Sequence, residues 1–223
     1  LRNEGFSGPQ IANQLDISKS SIYRFLNKES HLSWWEKNSK PIAAGNISDH
    51  HKNLETLKGS CFVLTSAQNN TFVNDKVFKT IHQIVKHRDA RLIVGTFSYN
   101  KKGFQNLEKV SDDCWYDPKI TDYIYNKPVK LAEDLVWFGE LNILPTAANP
   151  LSGYHSYSKS ASGIVPHAKV QLESLPRHKS SDPRFLYTTG AITKQNYIQK
   201  SVGQKAAFHH IYGALIVEVD SDG

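Results

Sequence analysis

Cys61-Phe62-Val63-Leu64 is a continuous apolar run, of the kind that a parallel sheet buries on both faces. Polar residues follow it from Thr65 to Asn70, and Leu92-Ile93-Val94 is a second short apolar run. Between the two runs, apolar residues repeat at helical spacing; they are Val77, Phe78, Ile81, Ile84 and Val85. This order predicts a βαβ unit, whose right-handed crossover makes the two strands parallel.

Further strands are predicted later in the chain, at Leu135 to Phe138, Val170 to Leu172, Phe185 to Thr188 and Ala214 to Val219. The regular alternation of helix and strand weakens after Asn100, because turn-forming residues are frequent between Leu144 and Tyr157. The predicted fold class is therefore α/β or α+β. We expect a Rossmann-like domain with a mixed sheet over residues 60–223, continuing beyond Gly223.

A helix-turn-helix is predicted for residues 1–28. Ser7 and Gln10 have the spacing of a capping box, Pro9 lies in the first turn, and Ser18 offers a second N-cap. The second helix presents its polar and basic side chains near its start, where a recognition helix meets base edges and phosphates. The predicted DNA-contacting residues are Lys19, Ser20, Ser21, Tyr23 and Arg24.

The segment from Gly5 to Leu26 resembles the helix-turn-helix of resolvases and transposases. The matching positions are Gly5-Phe6-Ser7, Ile11-Ala12, Leu15-Asp16-Ile17-Ser18 and Ser21-Ile22-Tyr23-Arg24-Phe25-Leu26. The resemblance implies DNA binding through the second helix. Such modules usually have three helices, so we expect this one to be truncated at its amino end. The alternative is a helical hairpin that packs on the rest of the protein or mediates dimer contacts, and a homodimer stays open.

Residues 29–59 show no sustained period, which predicts a linker before the larger domain. Trp34-Trp35 in this segment favours docking of the small module onto the large one; base stacking is the alternative.

The composition agrees with a DNA partner. The formal net charge is +6 and the pI is about 9.2, and a basic balance favours polyanions. The apolar runs are strand-sized, so we expect no membrane partner and a cytoplasmic location, which for a phage protein is the host cytoplasm. Cys61 and Cys114 are the only cysteines; a buried Cys61 thiol and a reducing compartment fit this usage.

Polar side chains at the predicted strand ends form a possible ligand or metal site at one edge of the sheet. Glu140, His167 and one of His209 and His210 offer oxygen and imidazole ligands for Mn²⁺, Mg²⁺ or Zn²⁺. If His209 and His210 lie on a strand, they point to opposite faces, so only one can join the site. The wider constellation adds Asn69 and Asn70, with Ser66, Thr96, Asn142, Thr188 and Thr189. The alternative is that these are ordinary polar residues at a rim, and no catalytic residue is assigned.

Two segments, Cys61 to Asn100 and Phe208 to Leu215, resemble bacteriophage early proteins of the T5 type that act in DNA transfer and DNA degradation. In those proteins a helix-turn-helix precedes an α/β region and a calcineurin-like metallophosphoesterase domain. The metal signatures G-D-x-H and G-N-H-D of that domain are absent from the sequence, so the resemblance implies the DNA-targeting part of a phage nuclease.

Three functions therefore compete. The first is the DNA-binding part of a phage-type DNA-processing protein. The second is a metal-dependent nuclease or phosphodiesterase with its site at the strand ends, and the third is a non-enzymatic DNA-binding regulator.

Overall fold

In the computed structural model of the protein, all the described residues lie within one unit of the chain, Ala44–Gly223. Within that unit the described residues are 54–99, 114–158, 161–176, 178–179 and 181–220. The predicted helix-turn-helix of residues 1–28 and most of the predicted linker lie outside the described residues.

The βαβ unit is confirmed. It consists of strand β1 (Cys61–Gln68), helix α1 (Asp75–Arg88) and strand β2 (Arg91–Phe97). The two strands pair in parallel over their whole length, from Phe62 opposite Arg91 to Gln68 opposite Phe97. Both strands continue beyond the apolar runs, so Ser66 and Thr96 lie within strands rather than in the loops that follow them.

The first sheet has three strands in the order β2-β1-β8. Its third strand, β8 (Leu215–Glu218), pairs antiparallel with β1 and confirms the strand predicted near the carboxyl end. Strand β1 is therefore central, and all eight of its residues are buried, as expected for a strand covered on both faces.

The second sheet has five strands in the order β3-β4-β5-β7-β6. Strands β4, β5 and β7 are parallel, and β3 and β6 pair antiparallel at the two edges. The bounds are β3 Pro128–Ala132, β4 Leu135–Phe138, β5 Ser162–Val165, β6 Leu172–Leu175 and β7 Arg184–Thr188. The predictions for β4 and β7 are confirmed, whereas the strand predicted at Val170 to Leu172 overlaps β6 only at Leu172.

The fold is thus mixed α and β with two mixed sheets and few helices, which confirms the α+β form of the predicted fold class. The strands form two sheets rather than the single mixed sheet expected from the sequence. The two sheets pack together through their apolar faces. Phe62, Leu64 and Ile93 of the first sheet pack against residues of the second, among them Val129, Trp137 and Ile164. Gly95 permits this approach, since a Cβ there would lie 2.6 Å from Trp137.

The outer faces of the two sheets are covered differently. Helix α1 covers the three-stranded sheet with Ile81, Val77 and Phe78, packed on Val63 and Val94. The far face of the five-stranded sheet is covered by side chains of the long connection between β4 and β5; these include Ile143, Leu151, Tyr154 and Tyr157, packed on Val136, Phe138 and Leu186. One layer is therefore helical and the other is irregular.

Two short helices complete the described fold. A 3₁₀ helix spans Pro118–Tyr123, and helix α2 spans Ser201–His209. Because His209 ends α2 and His210 is its C-cap residue, the assumption that these two histidines lie on a strand is wrong.

Residues 54–57, which fall in the predicted linker, pair with the edge of β3. The Leu57 amide donates to the Lys130 carbonyl at 2.8 Å, and the Lys130 amide donates to the Glu55 carbonyl at 3.0 Å. This end of the segment is therefore part of the packed domain.

Candidate functional site at the strand ends

The carboxyl ends of β1, β2, β4, β5 and β7 meet at one edge of the domain. Ser98, after β2, donates its amide to Asn142 Oδ1 at 2.9 Å, and Asn142, after β4, donates its side-chain amide to Ser98 Oγ at 2.7 Å. The His167 amide, after β5, donates to Thr189 Oγ1, after β7, at 3.5 Å. Ser66 of β1 donates its hydroxyl to the Gly190 carbonyl at 2.6 Å. The two sheets are thus joined by polar contacts at the edge where open α/β sheets bind ligands.

Asn69 and Asn70 organise the loops at this edge. Asn69 Oδ1 accepts the Tyr99 amide at 2.7 Å. Asn70 exchanges two hydrogen bonds with Trp115: its own amide donates to the Trp115 carbonyl at 2.8 Å, and its Oδ1 accepts the Trp115 amide at 2.9 Å. Asn70 has a φ of 56°, a left-handed conformation that asparagine tolerates better than most residues. The side-chain oxygens of Asn69 and Asn70 therefore fix the backbone of the loops at Tyr99 and Trp115.

A third loop joins the same cluster through amides. Asn196 donates its side-chain amide to the Asn70 carbonyl at 2.7 Å. Gln68 donates its own side-chain amide to the Asn196 carbonyl at 2.9 Å and accepts the Asn196 amide at 3.3 Å. Residues about 125 positions apart in the chain are thereby fixed to one another. Gln68 and Asn196 were not among the predicted residues, because a lone amide side chain carries no sequence signal.

His210 is buried and fully hydrogen-bonded. The Tyr197 hydroxyl donates to its Nδ1 at 2.6 Å, and its Nε2 lies 2.9 Å from the Thr193 carbonyl, so the ring is neutral with the proton on Nε2. Burial lowers the pKa of His210 to about 4; the Thr193 carbonyl opposes this shift, and nearby His167 adds to it. The ring has no nitrogen left for a metal ion.

His167 is also buried with both ring nitrogens engaged. Its Nδ1 accepts the Lys169 amide at 3.0 Å, and its Nε2 lies 3.3 Å from the Leu144 carbonyl. Burial lowers the pKa of the imidazole, which favours the neutral form. This histidine ties the loop after β5 to the connection that follows β4.

Glu140 lies just after β4. Its Oε1 accepts the Tyr157 hydroxyl at 2.6 Å, while its Oε2 is buried without a hydrogen-bond partner among the described residues. Burial raises the pKa of this carboxyl to about 6, against the lowering effect of the Tyr157 hydrogen bond. The contact fastens the connection between β4 and β5 onto the sheet.

The predicted metal ligands are not assembled into a metal site. Glu140, His167 and His210 each have separate partners, and His209 contacts Phe208, with 5.1 Å between ring centroids. Over the described part of the chain, no group of three or more His, Cys, Asp or Glu side chains could hold a metal ion. The described residues therefore do not fit Mn²⁺, Mg²⁺ or Zn²⁺.

The aromatic residues beside the amide cluster were missed by sequence reasoning. The Phe72 side chain is 59% exposed, although it is a large apolar group. Its ring centroid lies 5.0 Å from that of half-buried Trp115, with the ring planes tilted by 56°. A cavity of about 200 Å³ is lined by residues that include Gln195, Asn196, Gln199 and Gln204, and Asn196 connects it to Asn70 through the hydrogen bond described above. The predicted DNA-contacting residues Lys19, Ser20, Ser21, Tyr23 and Arg24 lie outside the described residues.

The described part of the chain is therefore an α+β domain with a hydrogen-bonded polar edge. Its two cysteines, Cys61 and Cys114, are free thiols, and Cys61 is buried as predicted. None of the helices described is long and apolar enough to cross a membrane.

The chain is similar to a phage T5 protein. It is 40% identical over 192 residues to Protein A1 of Escherichia phage T5, and the match covers 84% of this chain. The chain spans about a third of the length of that relative, since the match covers 34% of Protein A1. This similarity supports the resemblance to T5-type phage proteins. No protein-family model matches the sequence, and no solved structure matches the chain.

Proposed function

We propose that this chain is the DNA-binding part of a phage-type DNA-processing protein, and that it contacts DNA through a helix-turn-helix in residues 1–28. The observation that carries the proposal is the residue pattern from Gly5 to Leu26, which predicts two capped helices with basic and hydroxyl side chains at the start of the second. Similarity to a phage T5 protein and a net charge of +6 support it.

In this proposal Lys19 and Arg24 contact phosphates, and Ser20, Ser21 and Tyr23 face base edges or sugars. Phosphate contacts displace condensed counterions, so affinity falls steeply as the salt concentration rises. Side chains that reach base edges add sequence preference.

The test is fluorescence anisotropy of labelled duplex DNA with the full chain and with Arg24→Ala, over a series of salt concentrations. Loss of one phosphate contact should weaken binding and make the slope of log K against log salt shallower by about 0.9. The matched control is Lys86→Ala, which removes one positive charge from an exposed position in the last turn of α1.

Equal affinity of Arg24→Ala and the unmodified chain for duplex DNA would refute the helix-turn-helix proposal. The same samples, incubated with supercoiled and linear DNA with and without Mn²⁺ or Mg²⁺, report cleavage on a gel. We expect retention of DNA without cutting. Metal-dependent cutting that survives purification on a second column would instead establish the nuclease alternative.

A further inference from the structure

We propose that Phe72, together with Trp115 and Lys194, forms a stacking site for the bases of single-stranded DNA. The inference rests on the proposed function for the identity of the ligand, but it concerns a different surface of the protein. Phe72 lies four residues after the end of β1, at the polar edge described above, and its ring packs against Trp115.

The exposed ring is held on a rigid backbone. The Phe72 carbonyl accepts the Lys194 amide at 2.8 Å, and the next amide, of Val73, donates to Asp117 Oδ2 at 3.0 Å. The Asn74 amide donates to the Ile192 carbonyl at 2.9 Å. Trp115 is fixed in turn by its two hydrogen bonds with Asn70. Phe72 is therefore exposed on a turn whose backbone is fixed by hydrogen bonds.

Isolated exposed apolar residues are common on proteins and need no explanation. Phe72 differs because a second aromatic ring supports it from one side while 59% of its surface faces solvent. Aromatic side chains placed in this way are the platforms on which proteins stack unpaired bases, with little dependence on sequence because every base has a π-face.

The charges around the ring favour a polyanion. Lys194, whose amide donates to the Phe72 carbonyl, and Lys76, in the first turn of α1, are exposed, and Lys119 pairs with Asp75 at 2.6 Å. The Asp117 carboxylate is buried and accepts the Val73 and Lys119 amides, so it faces the protein rather than the solvent. The exposed groups thus carry a net positive charge, as a groove that follows a phosphate backbone requires.

The amide-lined cavity, which is connected to Trp115 through the hydrogen bonds of Asn196 and Asn70, offers groups that can bind base edges. Its side chains include Gln195, Gln199 and Gln204, and Asn196 links the cavity to Asn70 through one hydrogen bond. Side-chain amides both donate and accept hydrogen bonds, which matches the mixed donors and acceptors of an unpaired base.

The experiment measures binding of a fluorescein-labelled oligo-dT strand to the full chain by anisotropy, with a hairpin duplex measured in parallel. Phe72→Ala should weaken oligo-dT binding by about 5- to 100-fold, from the loss of one stacked base. Phe72→Tyr should restore most of the affinity. Lys194→Ala should make the salt dependence shallower, with a change in slope of about 0.7 for a single strand.

The matched control is Phe208→Ala, which removes an 81% exposed phenylalanine from helix α2. Circular dichroism of each variant checks that the fold is retained, as expected for substitutions at exposed side chains. Absence of oligo-dT binding by the full chain, or an effect of Phe72→Ala no larger than that of Phe208→Ala, would overturn the stacking site.

The two proposals fail in different ways. Arg24→Ala should weaken binding of the hairpin duplex and leave the Phe72-dependent part of oligo-dT binding intact. If Phe72→Ala has no effect but Arg24→Ala weakens duplex binding, the stacking site is wrong and the helix-turn-helix proposal stands. The reverse result supports the stacking site and refutes the helix-turn-helix proposal.

Discussion

The parallel pair β1 and β2 of the three-stranded sheet and the edge strands β3 and β6 of the five-stranded sheet bury their residues in different ways. In the three-stranded sheet, β1 is buried at all eight positions and β2 at six of seven. In the five-stranded sheet, β3 alternates between buried and half-buried residues, and β6 has only one buried residue. A strand covered on both faces leaves a continuous apolar run in the sequence, whereas a short strand at a sheet edge does not. The difference shows that a continuous apolar run in the sequence marks a strand that is covered on both faces. A strand that contributes only some of its residues to the core has no such run.

Despite this difference, the two sheets share one core. Phe62, Leu64 and Ile93 of the first sheet lie in the same buried cluster as Val129 and Trp137 of the second. If either sheet unfolded alone, the apolar face of the other sheet would be exposed to water. The domain should therefore unfold as one cooperative unit, as small single domains usually do.

The largest predicted effect tests this cooperativity. Trp137→Ala removes a side chain with no solvent exposure, together with the hydrogen bond from its Nε1 to the Tyr125 carbonyl at 2.9 Å. The free energy of unfolding should fall by about 3–5 kcal/mol. The measurement is urea denaturation followed by far-UV circular dichroism, with Phe62→Ala as the equivalent change from the first sheet.

Both variants should keep a single transition, and the two losses of stability should be of similar size. Two separate transitions in either variant would mean that the sheets unfold independently. The two sheets would then differ in stability as well as in the sequence patterns of their strands.

The fold could be predicted from sequence where periodicity was long enough to distinguish helix from strand. The apolar repeat from Val77 to Val85 matches one face of α1, and the runs at Cys61 and Leu92 match the first parts of β1 and β2. Strands β3 and β5 were missed because neither contains an uninterrupted apolar run: β3 has a polar residue at its centre, and β5 begins with Ser162-Gly163. Gly163 is required there by packing, since a Cβ would lie 2.2 Å from the Phe138 ring.

The candidate site could be predicted only in part. The rule that ligands bind at the carboxyl ends of parallel strands led to Asn69, Asn70 and Asn142, which the structure places at one edge. Sequence could not show that Glu140, His167 and His210 have separate partners, because the folding of the connecting loops decides which groups meet these side chains. It also could not show that Phe72 is exposed, since exposure of a phenylalanine depends on tertiary packing alone.

The next prediction concerns His210, whose two hydrogen-bond partners, Tyr197 and Thr193, lie in the connection between β7 and α2. Burial lowers its pKa from about 6.5 to about 4 in the folded protein. Between these values the unfolded chain binds the proton and the folded protein does not, so stability is present above pH 6.5 and is lost as pH falls toward 4. The expected loss attributable to this group is about 3 kcal/mol.

The measurement is urea denaturation of the unmodified chain and of His210→Gln from pH 7 to pH 4.5. His210→Gln should be less stable at pH 7, because the Tyr197 hydroxyl loses its imidazole acceptor, but its stability should depend less on pH over this range. His209→Gln is the matched control, since it leaves the hydrogen bond between Tyr197 and His210 in place. Parallel pH profiles for the unmodified chain and His210→Gln would contradict the assigned role.

The smallest predicted effect concerns the helix that covers only the three-stranded sheet. Asn74 is the N-cap of α1, and its Oδ1 accepts the amides of Lys76 at 3.2 Å and Val77 at 3.4 Å. Asn74→Ala leaves these amides to water and should lower the free energy of unfolding by about 1 kcal/mol. Asn74→Ser keeps a capping oxygen and should recover most of this loss.

Hydrogen exchange separates two outcomes: if the domain is one cooperative unit, core amides of both sheets lose protection equally in Asn74→Ala. If only the α1, β1 and β2 amides exchange faster, the helix and its sheet open as a separate unit.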